Sequence, residues 1–148
     1  MVDGHPISKY VPDGTKSTFA TELKYALGLC FDGEGNLFVS DGSAINPKSR
    51  RSSLKFTPDG KRSTFATGIS SVGMAFDRSG NLLFLRVDSI FKFTPKGVKN
   101  TFVTSKKANF IDLAVDGAGN LFVADEGWPV SIVKITPEGG KEHVRRGP

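Results

Sequence analysis

The sequence predicts an all-β fold, a β-propeller arc built of four-stranded antiparallel blades. The first observation behind this prediction is a motif of the form Lys-apolar-x-Pro-x-Gly, which begins at Lys9, Lys55, Lys92 and Lys134 in the 148-residue chain. The copies are therefore 46, 37 and 42 residues apart. Units of this length that contain four short strands each are typical of propeller blades.

The second observation is that two further motifs recur in step with the first. A Thr-Phe-Ala-Thr or Thr-Phe-Val-Thr segment follows the first three copies, and Asp-x-x-Gly-Asn-Leu precedes the last three. The segments between these turn motifs are short and rich in Phe, Val, Leu and Ile, as strands are, and no amphipathic helix is predicted. The predicted strands of the first complete unit are 28–32, 36–41, 53–57 and 63–67.

The repeats define one domain. Residues 1–7 are assigned to an N-terminal tail and residues 8–148 to a single repeat array. The array is divided into a half-blade at 8–21 and blades at about 27–67, 72–104 and 111–146. Propellers close with four to eight blades, so about three full blades plus a half-blade leave an open arc with apolar ends. Two explanations stay open: a piece of a longer propeller, or copies that assemble head to tail.

The first Asp-x-x-Gly-Asn segment has two interpretations. Asp32, Glu34 and Asn36 alternate in the way that oxygen ligands do in a calcium loop. Such a loop needs glycine at its sixth position and an acid at its twelfth, where Leu37 and Ser43 stand, and the two other copies lack the middle acid. The retained aspartate, glycine and asparagine are turn residues, so the sequence predicts a hairpin turn and no metal site here.

The stretches GLCFDGEGNLFVSD and SLKFTPDGKRSTFATG resemble the NHL-type repeat, shared loosely with the SMP-30/gluconolactonase and streptogramin-lyase groups. The resemblance covers about residues 9–146. For the gluconolactonase group it implies a divalent metal such as calcium, held by acidic and amide residues at the starts of inner strands. Leu27, Val72 and Ile111 take those positions and cannot ligate a hard cation, and Asp112 is the one inner-strand acid near the expected place.

The resemblance to the streptogramin lyases implies a catalytic histidine in the channel. The two histidines, His5 and His143, lie near the termini, and no Gly-x-Ser-x-Gly motif is present. The sequence therefore favours a non-catalytic scaffold for ligand or protein binding and self-assembly, without catalytic residues or a cofactor. The alternatives are a metal-dependent lactone hydrolase of the SMP-30/gluconolactonase type with an incomplete site, and RNA or polyanion binding through basic loops.

A binding face is expected where the loops between strands two and three meet the loops between blades. In one interpretation, a tryptophan beside a basic rim anchors a protein partner or stacks on single-stranded RNA. In the other, the basic residues are ordinary solvated surface charges and the tryptophan packs over the edge of a blade. The candidate binding residues are Asp41, Lys48, Arg50, Arg51, Lys106, Lys107, Asp112 and Trp128.

Composition limits the partners. Twenty Lys and Arg against 15 Asp and Glu give a net charge of +5, which allows weak attraction to polyanions. The single Cys30 excludes an internal disulfide and is expected to act as a small apolar residue. No apolar run is long enough to span a membrane, and residues 1–15 lack the pattern of a secretory signal, so a soluble protein of unassigned compartment is expected. The expected partners are other copies or missing blades of a longer chain, then a protein or small molecule, with RNA a weaker expectation.

Overall fold

The computed structural model describes residues 5–42, 51–127 and 129–146. Within these ranges the chain forms strands and no helix, so no described helix could cross a membrane. The strands are β1 His5–Tyr10, β2 Lys16–Leu23, β3 Ala26–Phe31, β4 Leu37–Asp41, β5 Ser52–Phe56, β6 Arg62–Thr67, β7 Met74–Phe76, β8 Leu82–Arg86, β9 Ser89–Phe93, β10 Lys99–Thr104, β11 Phe110–Val115, β12 Leu121–Asp125, β13 Ser131–Ile135 and β14 Lys141–Arg146.

The strands form one two-stranded and three four-stranded antiparallel sheets, which confirms the predicted fold class. We call β1–β2 the leading hairpin, β3–β6 blade 1, β7–β10 blade 2 and β11–β14 blade 3. Within each sheet the hydrogen-bonded neighbours follow the order of the chain. The strand β1 begins at His5, inside the segment that the sequence assigns to a tail.

We call the first two strands of a blade its inner strands and the last two its outer strands. The Pro-x-Gly motifs form the turns that join the two outer strands, which are the outer hairpin turns. In blade 1 the Gly60 N–H donates to the Thr57 carbonyl at 2.8 Å, and the Thr57 N–H donates to the Lys61 carbonyl at 3.0 Å. Gly60 has a φ of 84°, a conformation that glycine adopts without strain. This is a type I turn closed by a glycine bulge, as the sequence predicted.

A second irregularity lies in the outer strand of each blade. The pairing of β5 with β6 skips Phe65, since Leu54 faces Thr64 and Ser53 faces Ala66. A bulge of this kind bends the strand and redirects the side chain of the extra residue. Phe65 packs edge-on against Phe38 with ring centroids 5.2 Å apart.

Among the residues that the structure describes, the core consists of three apolar clusters, one at each junction between successive units. The first joins the leading hairpin to blade 1 through Ala20 and Leu23 on one side and Leu37, Val39 and Leu54 on the other. The second joins blade 1 to blade 2, and the third joins blade 2 to blade 3. Each unit is therefore stabilised by its neighbours, as in other repeat folds.

Candidate functional site

The Asp-x-x-Gly-Asn carboxylates are engaged by their own turns. One oxygen of Asp32 accepts the N–H groups of Glu34 and Asn36 at 2.9 and 2.8 Å, and the other accepts the Asn36 side-chain amide at 2.8 Å. The turns that start at Asp77 and Asp116 repeat this arrangement. The predicted turn is thus confirmed in all three blades.

Neighbouring lysines add electrostatic support to two of these turns. The Lys92 ammonium lies 3.0 Å from a carboxylate oxygen of Asp77, and Lys55 lies 4.0 Å from Asp32. Burial alone would raise the pKa of Asp77, but the hydrogen bonds from Asn81 and the charge of Lys92 outweigh it. The pKa of this carboxyl therefore lies below its ordinary value.

The inner wall of the arc is apolar at the positions where the resemblance implied metal ligands. Leu27, Val72 and Ile111 precede equivalent positions of the three inner strands, and all three are exposed. Asp112 is exposed on β11, and its carboxylate accepts the N–H of the adjacent Leu113 at 2.8 Å. Among the described residues, no group of three or more His, Cys, Asp or Glu side chains is arranged to hold a metal ion.

The loops expected to share one face do meet. The Gly42 N–H donates to the Tyr25 carbonyl at 3.0 Å, and the Gly68 N–H donates to the Arg51 carbonyl at 2.8 Å. Asp41 is buried here, and one of its oxygens accepts the N–H groups of Lys24 and Tyr25, each at 2.8 Å. Its carboxylate thus fixes the loop that enters blade 1.

The equivalent residue of blade 3 has the same role. Asp125 accepts the N–H groups of Asn109 and Gly127 at 2.8 and 2.9 Å. Blade 2 has Arg86 at this position, so no carboxylate there accepts the N–H groups of the loop that enters the blade. The serine Ser71 lies nearby instead, and its hydroxyl accepts the Leu85 N–H at 3.0 Å.

The basic candidates are distributed over two loops. Lys106 and Lys107 are exposed in a turn closed by a 3.1 Å bond from the Ala108 N–H to the Ser105 carbonyl. Gly127 packs so closely against this turn that a Cβ there would lie 2.6 Å from the Lys107 carbonyl oxygen. Arg51 is half-buried at the start of β5. Lys48, Arg50 and Trp128 lie outside the described residues.

The N-terminal end of the arc exposes apolar side chains whose equivalents are buried or half-buried elsewhere in the repeat. Leu29 is 54% exposed, whereas its equivalents Met74 and Leu113 are 6% and 8% exposed. Phe31, next on the same face of β3, is 62% exposed. Met74 is covered by blade 1, including Phe38 of its second strand. The leading hairpin corresponds to the third and fourth strands of a blade, so no described strand covers Leu29 in this way.

The C-terminal end of the arc is apolar as well. Ile132 of blade 3 is 41% exposed, whereas its equivalent Ile90 in blade 2 is fully buried against blade 3. Val144 occupies the bulge position of Phe65 and Phe102, and it too is exposed. The side of blade 3 that a following blade would cover is therefore open.

A cleft of about 470 Å³ lies at the N-terminal end of the arc. It lies between the leading hairpin and blade 1, and its apolar lining comes from Ile7, Tyr10, Phe19, Leu29, Phe31 and Leu37. Sequence reasoning predicted apolar ends but did not single out these residues. Aligning the copies would have found them, because the residues equivalent to Leu29 and Phe31 in the other blades belong to the apolar clusters or pack against them.

Cys30 faces blade 2 from the other side of β3. Its side chain is half-buried and packs against the cluster between blades 1 and 2. Burial, with a smaller contribution from Asp32, raises the pKa of the thiol to about 12. The side chain thus behaves as a small apolar residue and not as a nucleophile.

Comparisons with known proteins show the fold. A scan against protein-family models finds no match, and neither does a search of the curated proteins. Among solved structures, a gluconolactonase from Xanthomonas campestris has a TM-score of 0.79 at 15% identity, over 97% of this chain and 56% of that one. The chain thus spans about half the length of this structure.

Two further structures have the same architecture. The calcium-binding protein regucalcin from Agrobacterium tumefaciens has a TM-score of 0.64 at 18% identity, over 80% of this chain and 43% of that one. Virginiamycin B lyase from Staphylococcus aureus has a TM-score of 0.59 at 14% identity, over 95% of this chain and 62% of that one. The chain has the propeller fold that these proteins share, over roughly half of a ring.

Proposed function

We propose that the chain is a non-catalytic propeller scaffold that binds other blades through the two ends of its arc. The observation that supports this proposal is the exposure of Leu29 at one end and Ile132 at the other, at positions that are buried inside the arc, together with Phe31, whose position is half-buried there. Apolar surface of this kind marks interaction sites, because covering it removes hydrocarbon from water.

The two ends of the arc expose opposite sides of a blade, so one end can pack against the other. Ile132 belongs to the side of a blade that covers the next blade, and Leu29 belongs to the side that is covered. A second copy can therefore join head to tail, which is a heterologous contact. The leading hairpin limits closure, because no chain has a spare pair of inner strands to complete it, so a ring of two copies would retain two incomplete hairpins.

Sedimentation of the 15.9 kDa chain over a range of concentrations tests the assembly. We expect a mass that rises above the monomer with concentration, and a shift towards the monomer in Ile132→Asp because the buried carboxylate opposes association. Val98→Asp is the matched control, since Val98 is also apolar and exposed but lies in an outer turn. A wild-type chain that stays monomeric throughout would contradict self-assembly.

The lactone-hydrolase alternative makes a different prediction for metal. The apolar residues Leu27, Val72 and Ile111 support the scaffold here, because three of the positions expected to ligate a cation have no oxygen donor. We expect a calorimetric titration with Ca²⁺ to show no tight stoichiometric site. Tight binding that is lost in Asp112→Ala would favour the hydrolase instead.

Polyanion binding is the third alternative, and it has one observation in its favour. Lys106 and Lys107 are adjacent, exposed and on the loop face of a chain with net charge +5. If this turn binds RNA, a fluorescent oligonucleotide will bind at low salt, and the paired change Lys106→Ala/Lys107→Ala will weaken binding and reduce its salt dependence. An absence of binding at low salt would dismiss this alternative.

A further inference from the structure

We propose that the cleft between the leading hairpin and blade 1 is a docking site for an antiparallel β-hairpin that carries an Asp-x-x-Gly-Asn turn. The incoming hairpin adds its second strand to the free edge of β1 and covers Leu29 and Phe31. This proposal rests on the scaffold function above and names the partner class at one end of the arc. Three observations carry it.

The first observation is the free edge of β1. The strand β1 corresponds to the third strand of a blade, since Lys9 and Pro12 align with Lys55 and Pro58. The equivalent strands β5, β9 and β13 pair on both edges, whereas β1 pairs only with β2 among the described strands. Pro6 has no N–H to donate, but from Ile7 to Tyr10 the other edge of β1 offers backbone N–H and C=O groups, which are the surface that strand addition uses.

The second observation is that the docking interface is already half formed. Ala20 and Leu23 of the leading hairpin pack on Leu37 and Val39 of blade 1 in the first apolar cluster. The cleft continues this interface inwards to the exposed Leu29. At the next junction the equivalent residue is covered by the inner strands of the preceding blade. An inner hairpin is therefore the element whose shape matches the cleft.

The third observation is charge. The lysine of the Lys-apolar-x-Pro motif lies beside the aspartate of the inner turn in blades 1 and 2, as Lys55–Asp32 and Lys92–Asp77. Lys9 holds the same motif position in the leading hairpin and lines the cleft. A hairpin with an aspartate at the start of its turn would place a carboxylate beside Lys9. This feature selects the blade-type hairpin over an arbitrary apolar strand.

A synthetic peptide with the sequence of residues 110–125 is the probe, because it carries one complete inner hairpin, β11–β12, and no cysteine. Its binding to the whole chain is measured by fluorescence anisotropy, and hydrogen exchange of the β1 amides is followed in parallel. The assay uses the Ile132→Asp background, so that copies of the chain do not compete for the cleft.

We expect saturable binding, slower exchange of alternate β1 amides, and at least about tenfold weaker binding in Phe31→Asp, the factor that follows from burying one aromatic side chain. Phe31 is exposed in the free chain, so this change leaves the fold intact, which thermal melting verifies. Added to the same background, Val98→Asp leaves binding unchanged. In the chain, Lys9→Ala weakens peptide binding, because Asp116 of the peptide then lacks its partner while the turn of the peptide keeps its own hydrogen bonds.

Other outcomes overturn the proposal. Peptide binding that is indifferent to Phe31→Asp, or that leaves β1 exchange unchanged, shows that the peptide binds elsewhere. A third outcome is that the peptide does not bind, whereas the wild-type chain self-associates and Phe31→Asp prevents this association. The occupant of the cleft is then a second copy of the chain. In that case the hairpin proposal fails and the scaffold proposal stands. If the peptide does not bind and the chain stays monomeric, both proposals fail.

Discussion

Asp77 shows how single residues stabilise this repeat. Its carboxylate accepts backbone and side-chain hydrogen bonds within one five-residue turn and also contacts Lys92. Because the turn sets the register of two inner strands, a local hydrogen-bonding pattern determines which side chains face the neighbouring blade. The same pattern at Asp32 and Asp116 explains why the repeat tolerates variation elsewhere in the turn.

We predict that Asp77→Ala lowers the free energy of unfolding at pH 7 by about 1–2 kcal/mol, since the N–H groups of exposed Ser79 and part-buried Asn81 lose their charged acceptor. The pKa of Asp77 is lowered in the folded chain, so its contribution is present above the unfolded value of about 4 and is lost as the pH falls through the folded value. The difference from wild type should therefore shrink below about pH 4.

Thermal melting of both proteins between acidic and neutral pH measures this effect. Glu138→Ala is the control, because Glu138 is exposed in an outer turn. A constant difference across the whole range would show that the ionised carboxylate is not what stabilises the turn.

A second residue-scale prediction concerns the close approach of β3 to the segment that leads into β7. A Cβ on Gly28 would lie 2.7 Å from the Val72 carbonyl oxygen and 2.8 Å from that of Ser71. Because these are backbone atoms that cannot rotate away, Gly28→Ala should destabilise the chain by about 1–3 kcal/mol. At Gly33 a Cβ meets nothing within 4 Å, so Gly33→Ala should change stability by less than about 0.5 kcal/mol. Denaturant titration of both variants measures the contrast, and equal effects would contradict it.

The sequence predicted some residue roles better than others. The turn role of Asp32 follows from residues within five consecutive positions, and comparison of the three copies was enough to find it. The structural role of Asp41 was not predicted, because its partners Lys24 and Tyr25 lie in a loop whose path depends on tertiary packing. The approach of Gly28 to Val72 escaped prediction for the same reason.

At the scale of elements, the outer-strand bulge links the repeat motif to the packing of blades. The phenylalanine of the Thr-Phe motif sits at the bulge, so Phe65 turns into the junction and meets Phe38 and Phe93, with ring centroids 5.2 and 6.3 Å away. The sequence marked this phenylalanine as recurrent, but it could not show the bulge, because a strand's register is visible only with its partner.

We predict that Phe65→Ala destabilises the chain by about 2–3 kcal/mol, since it removes a partly buried ring from the junction of blades 1 and 2. Val144 occupies the same bulge position at the open end of the arc, so Val144→Ala should cost less than about 0.5 kcal/mol. Chemical denaturation separates the two. A comparable loss in both variants would mean that bulge residues act within their own blade and not across the junction.

At the scale of the whole molecule, the described part of the arc is a linear stack in which each unit packs against its neighbours through a shared apolar cluster. Blade 2 is covered on both sides, whereas the leading hairpin and blade 3 are each covered on one. Counting the repeats predicted this open arrangement, because three and a half blades cannot close. What covers the ends could not be predicted from the repeats, since that depends on surfaces beyond them.

The stack predicts a gradient of local stability. In a nearest-neighbour array the free energy of local opening rises with the number of covered faces, so amides of β8 and β9 should exchange most slowly and those of β1 and β14 fastest. Hydrogen exchange of the Ile132→Asp chain measures this in the absence of association. Phe65→Ala should speed exchange in both blade 1 and blade 2, because it weakens the junction that they share. Uniform protection from β1 to β14 would show that the arc unfolds as a single unit. It would contradict the idea that the uncovered ends have lower local stability.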